Sequence, residues 1–122
     1  MPMTASAAPR ELRVSPDRRT LTVVLPDGAS DRLTAEMLRV LSPSAEVQGH
    51  SPEQRKTIGG KANVAIADIR PIGNYAVRIV FDDGHDSGLF TWSYLADLGE
   101  RREALWQAYL DELKAKGLSR ER

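Results

Sequence analysis

Apolar and polar residues alternate in two short stretches near the start of the chain, which is the pattern of half-buried β-strands. The second stretch places Leu21, Val23 and Leu25 on one face. Turn residues follow each stretch, at Pro16-Asp17 and at Asp27-Gly28, and they favour hairpin connections. The strands predicted for this half of the chain run over residues 11–15, 20–25 and 30–33.

A short helix is predicted after the third strand. Thr34 is suited to its N-cap because the side-chain oxygen can accept a hydrogen bond from an unpaired amide of the first turn. Met37, Leu38 and Leu41 then form an apolar stripe at helical spacing. Ser42-Pro43 is expected to end the helix, since the residue before a proline avoids helical backbone angles.

The second half of the chain repeats this order of elements. Val77, Ile79 and Phe81 share one face of a predicted strand, which an Asp-Gly turn follows. Thr91 is suited to the N-cap of a helix that we expect Gly99 to end or kink. The predicted elements are strands over residues 64–69, 75–81 and 87–90 and helices over 92–98 and 100–116, with a connection at 71–74 and a long polar loop over 44–61.

The two halves also share the spacing of individual residues. Two explanations stay open: a true duplication, or the frequent use of a hairpin and a helix to cover one sheet face. Either one favours an α+β fold, with a mainly antiparallel sheet built from hairpins, covered by helices, and a C-terminal amphipathic helix. Leu21, Val23, Leu25, Asp27-Gly28, Leu33, Thr34, Leu38 and Leu41 recur as Val77, Ile79, Phe81, Asp83-Gly84, Phe90, Thr91, Leu95 and Leu98.

The composition fits one small domain, and its balanced charge gives no reason to expect a strongly charged partner. The chain has 122 residues, 41% hydrophobic and 28% charged, and its 17 basic residues balance 17 acidic ones. We therefore expect neither nucleic acid nor membrane as a partner. We assign residues 10–117 to a single domain, 1–9 to a flexible lead and 118–122 to a frayed tail. A secretory signal and an apolar run of roughly 20 residues are both missing, which favours a cytoplasmic protein.

Candidate metal-binding groups are scarce. There is no cysteine, which excludes thiolate ligands, disulfides and thiol catalysis. Neither His50 nor His85 stands at a ligand spacing from other donors. His85, next to Asp82, Asp83 and Asp86, is only a weak metal candidate, and a solvated turn is the favoured interpretation. The sequence thus predicts no metal site and no cofactor.

Catalytic and ligand-binding motifs are equally scarce. Gly59-Gly60-Lys61 precedes a predicted strand, whereas a phosphate loop leads into a helix. No nucleophile elbow and no Ser–His–carboxylate motif is present, so we expect no catalytic residue. Four aromatic residues stand at helical spacing: Trp92, Tyr94, Trp106 and Tyr109. We interpret them as core residues in preference to a ligand cage. Part of the apolar stripe around Trp106 is expected to stay exposed as a docking patch.

One long segment carries a family resemblance. The run from Gly73-Asn-Tyr-Ala-Val77 through Phe81-Asp-Asp-Gly-His85 to Leu95, with the earlier Leu38-Arg39 and Ser42-Pro-Ser-Ala45, resembles the gamma-butyrobetaine hydroxylase N-terminal-like domain family, formerly classed as a domain of unknown function. Its members resemble the small domain that precedes the oxygenase domain of carnitine-pathway hydroxylases. Related copies are appended to Mrp-type ATPases linked to iron–sulfur assembly. Many bacterial members stand alone, as we expect of this chain.

The resemblance implies a zinc site that this sequence does not reproduce. In the hydroxylases, a Cys-x-Cys-x-x-Cys segment just after Leu-Arg and a histidine of the later hairpin hold zinc. The counterparts here are Ser42, Ser44, Val47 and His85. Three of the four cannot replace thiolate ligands at neutral pH, which leaves His85 as a relic or a surface residue. The chain also lacks the residues for the oxygenase iron site.

These observations favour a non-enzymatic accessory or protein-interaction module whose partner is another protein. The candidate interaction surface comprises Asn74, Tyr75, His85 and Trp92, because a core explains neither a polar residue before the strand nor a histidine at the turn. A hydrogen bond from Asn74 to its own turn is the competing interpretation. The alternative function is a metal-linked factor that binds iron weakly through His85 and nearby aspartates or assists iron–sulfur carriers.

Overall fold

The computed structural model describes residues 8–48 and 56–121, so the expectations for the first seven residues and for His50 lie outside the described residues. Each half of the chain forms a three-stranded antiparallel meander. The expected α+β class is confirmed, and the strands form two sheets in place of one. The strands are β1 (Glu11–Val14), β2 (Thr20–Val24), β3 (Ser30–Thr34), β4 (Ile66–Ile72), β5 (Ala76–Phe81) and β6 (Leu89–Thr91).

The two predicted N-caps are confirmed. The hydroxyl oxygen of Thr34 accepts a hydrogen bond from the amide of Met37, and that of Thr91 accepts one from Tyr94, both at 3.1 Å. Each threonine is the last residue of a strand, so the cap also sets where the chain changes from strand to helix. The helices are α1 (Ala35–Val40), α2 (Ala45–Gln48), α3 (Trp92–Glu100) and α4 (Arg102–Ala115).

Two predicted boundaries were wrong for identifiable reasons. Gly99 does not end α3 but lies inside it, where a Cβ atom would stand 2.3 Å from the carboxylate of Asp31 on β3. The glycine therefore permits close packing of helix on sheet. Pro71 lies within β4 and not in a connection. This is tolerated because β4 is an edge strand, paired only with β5.

The meanders share one core and repeat one register. Leu21 faces Leu33 across the first sheet, and Val77 faces Phe90 across the second. These pairs are equivalent members of the two sets of recurring residues, so the repeated order of elements is confirmed. The described buried cluster joins both sheets to α1 and α3, and it comprises Leu21, Val23, Leu33, Ala35, Met37, Leu38, Val64, Ile66, Val77, Ile79, Phe81, Phe90, Leu95 and Leu98.

The C-terminal segment returns to the domain after α4. Gly117, at φ +67°, follows the helix as expected of its stop. The carbonyl oxygens of Ser119 and Arg120 then accept hydrogen bonds from Gly60 and Ala62 at 2.8 and 3.0 Å. These two hydrogen bonds fall on residues that the polar composition assigned to a frayed tail. Within the described ranges, each helix is too short or too polar to cross a membrane.

Candidate functional site

Three polar side chains meet beneath the turn between β5 and β6. The Nε2 atom of His85 lies 3.0 Å from the hydroxyl oxygen of Ser42 and 3.4 Å from that of Ser44. All three residues are buried. We call Ser42, Ser44 and His85 the hydroxyl–imidazole cluster. Each hydroxyl can rotate to donate to the ring or to accept from it, so the contact suits either neutral tautomer.

Local hydrogen bonds position both sides of this cluster. Ser42 follows α1, and its carbonyl oxygen accepts a hydrogen bond from the side-chain amide of Gln48 at 3.0 Å. His85 closes the β5–β6 turn, since its carbonyl oxygen accepts from the amide of Phe81 at 2.9 Å. Gly88 lets the two segments approach, because a Cβ atom there would stand 2.3 Å from the Ser42 hydroxyl. Gly88 was not singled out from the sequence, although it lies within the run that carries the family resemblance.

The expectation that His85 occupies a solvated turn was wrong. Its ring packs 6.1 Å from that of Phe81, centroid to centroid, and faces the two serine hydroxyls. The neighbouring carboxylates have other partners: Asp82 accepts from the amide of Ala65, and Asp83 binds basic side chains. Both of these carboxylates thus bind groups other than the His85 ring. Among residues 8–48 and 56–121, no three His, Cys, Asp or Glu side chains are grouped so as to hold a metal ion.

Asp83 ties three parts of the chain together beside the buried histidine. Its carboxylate lies 2.8 Å from the Arg39 guanidinium and 2.6 Å from the Lys61 ammonium group, and it accepts from the amide of His85 at 3.0 Å. Partial burial alone would raise the pKa of Asp83, but hydrogen bonds from Lys61, the His85 amide and Arg39 lower the pKa to about 2. Lys61 is thus bound by a carboxylate, and a strand follows it along the chain. A phosphate-binding loop would instead lead into a helix.

The Ser42–His85 contact has the distance of a nucleophile and its base, although the sequence contains no motif that pairs them. Ser42 has no exposed surface. A substrate carbonyl would have to displace the covering side chains to reach its hydroxyl, and nucleophilic catalysis needs that access. The contact connects two parts of the fold, and the Ser42 hydroxyl is buried beneath other side chains.

The predicted interaction surface separates into two places. The indole N–H of Trp92 donates to the carbonyl oxygen of Asn74 at 2.7 Å, and its backbone amide donates to that of Tyr75 at 3.1 Å. We call Asn74, Tyr75 and Trp92 the hairpin corner. The Tyr75 side chain is 55% exposed there. His85 lies beyond the other end of β5 and is buried, so it does not belong to this surface.

Trp92 also borders an apolar groove between β2 and α3. The groove has a volume of about 380 Å³ and opens to the surface. We call it the Trp92 groove; its lining comprises Pro9, Val23, Leu25, Pro26, Asp27, Trp92, Leu95 and Ala96. The alternation of β2 predicted two of these side chains as core residues. Only the packing of α3 across the strand shows that an open groove remains above them.

The other aromatic residues pack within the fold. The Tyr94 hydroxyl donates to the carbonyl oxygen of Leu41, and the Tyr109 hydroxyl donates to that of Ile58 at 2.6 Å. Burial, with a smaller effect of nearby Glu36, raises the pKa of Tyr109 to about 12. Trp106 is partly covered, because the Arg120 guanidinium lies 5.4 Å from its ring centroid. These contacts favour the core interpretation over a ligand cage.

The zinc site implied by the resemblance does not fit these side chains. Ser42, Ser44 and His85 do converge, and Val47 is buried one helical turn after Ser44. Two hydroxyls, one imidazole and one alkyl group are not a donor set for Zn²⁺, which takes thiolate, imidazole or carboxylate ligands. Three of these four positions therefore meet in the structure, but their side chains lack the donor atoms that zinc requires.

Comparisons with known proteins agree with this fold. The family model described as gamma-butyrobetaine hydroxylase-like, N-terminal, matches residues 12–96. Two NMR solution structures are similar at TM-scores of 0.82: one is 46% identical and covers 96% of this chain and 92% of its own, and the other is 42% identical and covers 98% and 89%. A crystal structure of a protein of unknown function from Acidithiobacillus ferrooxidans, of the DUF971 family, is 38% identical over 75% of this chain and 92% of its own, at a TM-score of 0.63. No curated protein matches the sequence.

Proposed function

Because this chain belongs to the gamma-butyrobetaine hydroxylase-like N-terminal domain family, we propose that it is a non-catalytic accessory module that binds another protein. The binding surface in this proposal is the hairpin corner together with the Trp92 groove. One observation carries it: an exposed tyrosine stands beside a tryptophan that borders an open apolar groove. The proposal includes a cytoplasmic location, which fractionation of cells that express a tagged chain would test.

Tyr75 has the properties of an interface anchor. Aromatic side chains contribute a large share of the affinity in many protein interfaces, because they bury much area at a small entropic cost. Tyr75 is more than half exposed, so its ring has area left to bury. The two hydrogen bonds from Trp92 hold the backbone on which Tyr75 stands. A pre-ordered backbone lowers the entropy that binding would otherwise cost.

The Trp92 groove complements this anchor. Its lining is mainly apolar, with Val23, Leu25 and Leu95 from the facing strand and helix. A volume of about 380 Å³ lies within the range of protein binding pockets, so apolar side chains of a partner segment can enter this groove. The chain has no net charge, so this apolar surface is a better basis for recognition than electrostatic attraction to nucleic acid or lipid.

The proposal is tested by affinity capture and mass spectrometry with matched variants. We expect Tyr75→Ala and Ala96→Glu to reduce recovery of the same partner, since the first removes the anchor and the second fills the groove with charge. Leu118→Ala is the control, because Leu118 is 44% exposed but lies at the C-terminal end. Circular dichroism checks that each variant is folded. Equal recovery of all specific partners by the three variants would contradict the proposal.

Among residues 8–48 and 56–121, no contact favours the metal-linked alternative. The imidazole of His85 faces hydroxyl groups, and the nearby carboxylate of Asp83 is bound by Arg39 and Lys61. Weak iron binding would need at least two further strong donors around the histidine. We therefore do not propose this function.

A further inference from the structure

The hydroxyl–imidazole cluster has the spacing of a metal centre without its donors. In a tetrahedral zinc site with bonds of roughly 2.0–2.3 Å, two ligand atoms lie roughly 3.5 Å apart. The Nε2 atom of His85 lies 3.0 and 3.4 Å from the two serine hydroxyl oxygens. The side chains thus stand about as far apart as ligands around an ion, but they are close enough for a direct hydrogen bond.

The cluster connects the segment after α1 to the β5–β6 turn, next to the Arg39–Asp83 ion pair that joins α1 to the same turn. Ser42 and His85 are 43 residues apart, and each lies outside the strands and helices. Gly88 allows this approach, since any side chain there would meet the Ser42 hydroxyl. A buried hydroxyl and a buried imidazole would each lose hydrogen bonds to water if they were not matched, so their contact favours the folded arrangement.

The fourth position of the implied zinc site is occupied by Val47, which is a buried packing residue and not a metal ligand. Val47 is joined to Ser44 by a backbone hydrogen bond of 3.1 Å and is 1% exposed. Its alkyl side chain has no donor atom for a metal ion, whereas a cysteine at this position would offer a thiolate ligand.

We infer that Ser42, Ser44 and His85 form a metal-free replacement for a zinc centre, in which direct hydrogen bonds hold the segment after α1 against the β5–β6 turn. Folding of this chain then requires no metal ion. The inference concerns a site separate from the hairpin corner, and it holds whether or not that corner binds a protein.

The first experiment measures thermal unfolding of the full chain with EDTA, with added Zn²⁺ and with neither. We expect the same midpoint in all three conditions. A midpoint that falls in EDTA and recovers with Zn²⁺ would overturn the inference. In the same assay, Ser42→Ala should lower the midpoint by several degrees, whereas Ser30→Ala, at an exposed residue of β3, should leave it unchanged. Equal midpoints for these two variants would also overturn it.

The second experiment restores the missing donors. The triple variant Ser42→Cys, Ser44→Cys, Val47→Cys should bind one Co²⁺ ion per chain with the absorption of cobalt–thiolate coordination, and adding His85→Ala should weaken that binding at least tenfold. A folded triple variant that binds no Co²⁺ would show that these positions do not surround one point, against the inference. If the triple variant folds neither with nor without Co²⁺, the comparison of Ser42→Ala with Ser30→Ala decides.

Discussion

Arg120 binds the carboxylate of Glu36 through two hydrogen bonds of 2.7 and 2.8 Å, across 84 residues of sequence. The Glu36 side chain is only 6% exposed, whereas that of Arg120 is 45% exposed. The arginine therefore supplies the charge that a buried carboxylate needs, and this pair holds the C-terminal segment on the domain.

Removing this arginine should destabilise the protein more than its exposed position suggests. We expect Arg120→Ala to lower the free energy of unfolding by about 1–3 kcal/mol, because the buried Glu36 carboxylate would lose the two hydrogen bonds that it accepts from Arg120. Glu36→Gln added to Arg120→Ala should recover part of that loss. Urea unfolding of the two single variants and the double variant measures the coupling. Equal stability of Arg120→Ala and the surface control Lys114→Ala would contradict the prediction.

Gly99 should show the opposite of the usual effect of alanine in a helix. Glycine inside a helix is typically about 0.5–1 kcal/mol less favourable than alanine. Here the added Cβ atom would stand 2.3 Å from an oxygen and 3.0 Å from the Cβ of Asp31. We therefore expect Gly99→Ala to lower stability by about 1–2 kcal/mol. Chemical denaturation measures the change, and an increase in stability would show that the Asp31 side chain moves aside at little cost.

Asp83 should contribute a stability that disappears in acid. Its pKa in the folded chain is about 2, below the ordinary value of 3.8, so the ionised form is favoured by folding. The contribution is fully present above pH 3.8 and is lost as the pH falls through 2. We expect about 1 kcal/mol, less than the full shift implies, because the turn is partly exposed to water.

The measurement for Asp83 is urea unfolding between pH 7 and pH 2. Asp83→Asn keeps an acceptor for the His85 amide but removes the charge that binds Arg39 and Lys61. The stability of this variant should fall less steeply with acid than that of the unaltered chain. Asp86→Asn, at an exposed neighbouring position, is the control. Identical pH dependence for both variants would contradict the assigned role of Asp83.

Phe81 and His85 are both buried, but their replacement by alanine should lower the free energy of unfolding by different amounts. Phe81→Ala should lower stability by about 3–5 kcal/mol, since it leaves a cavity in the shared core. His85→Ala should cost about 1–3 kcal/mol, because it leaves the Ser42 and Ser44 hydroxyls without the ring. Chemical denaturation ranks the two variants. A smaller loss for Phe81→Ala would place the main packing of the domain elsewhere.

What the sequence determined was the local structure. Thr34 and Thr91 were identified as caps because each hydroxyl acts on an amide only three residues away. The face shared by Val77, Ile79 and Phe81 followed from alternation, since successive side chains of a strand point to opposite sides. Asn74 and Tyr75 are neighbours of Trp92 because the segment between them is a single hairpin strand with its return.

Only the tertiary structure decided which residues meet across long separations. Nothing in the local sequence indicates the contact between Ser42 and His85, or the contact between Glu36 and Arg120. Both contacts form only when the two meanders and α4 pack together. The same packing buried His85, although its polar neighbours in sequence indicated a solvated turn. The same packing brings Gly99 close to Asp31 of β3. A glycine at a helix end supplies an unusual backbone angle, whereas this glycine provides the space that packing against a sheet requires.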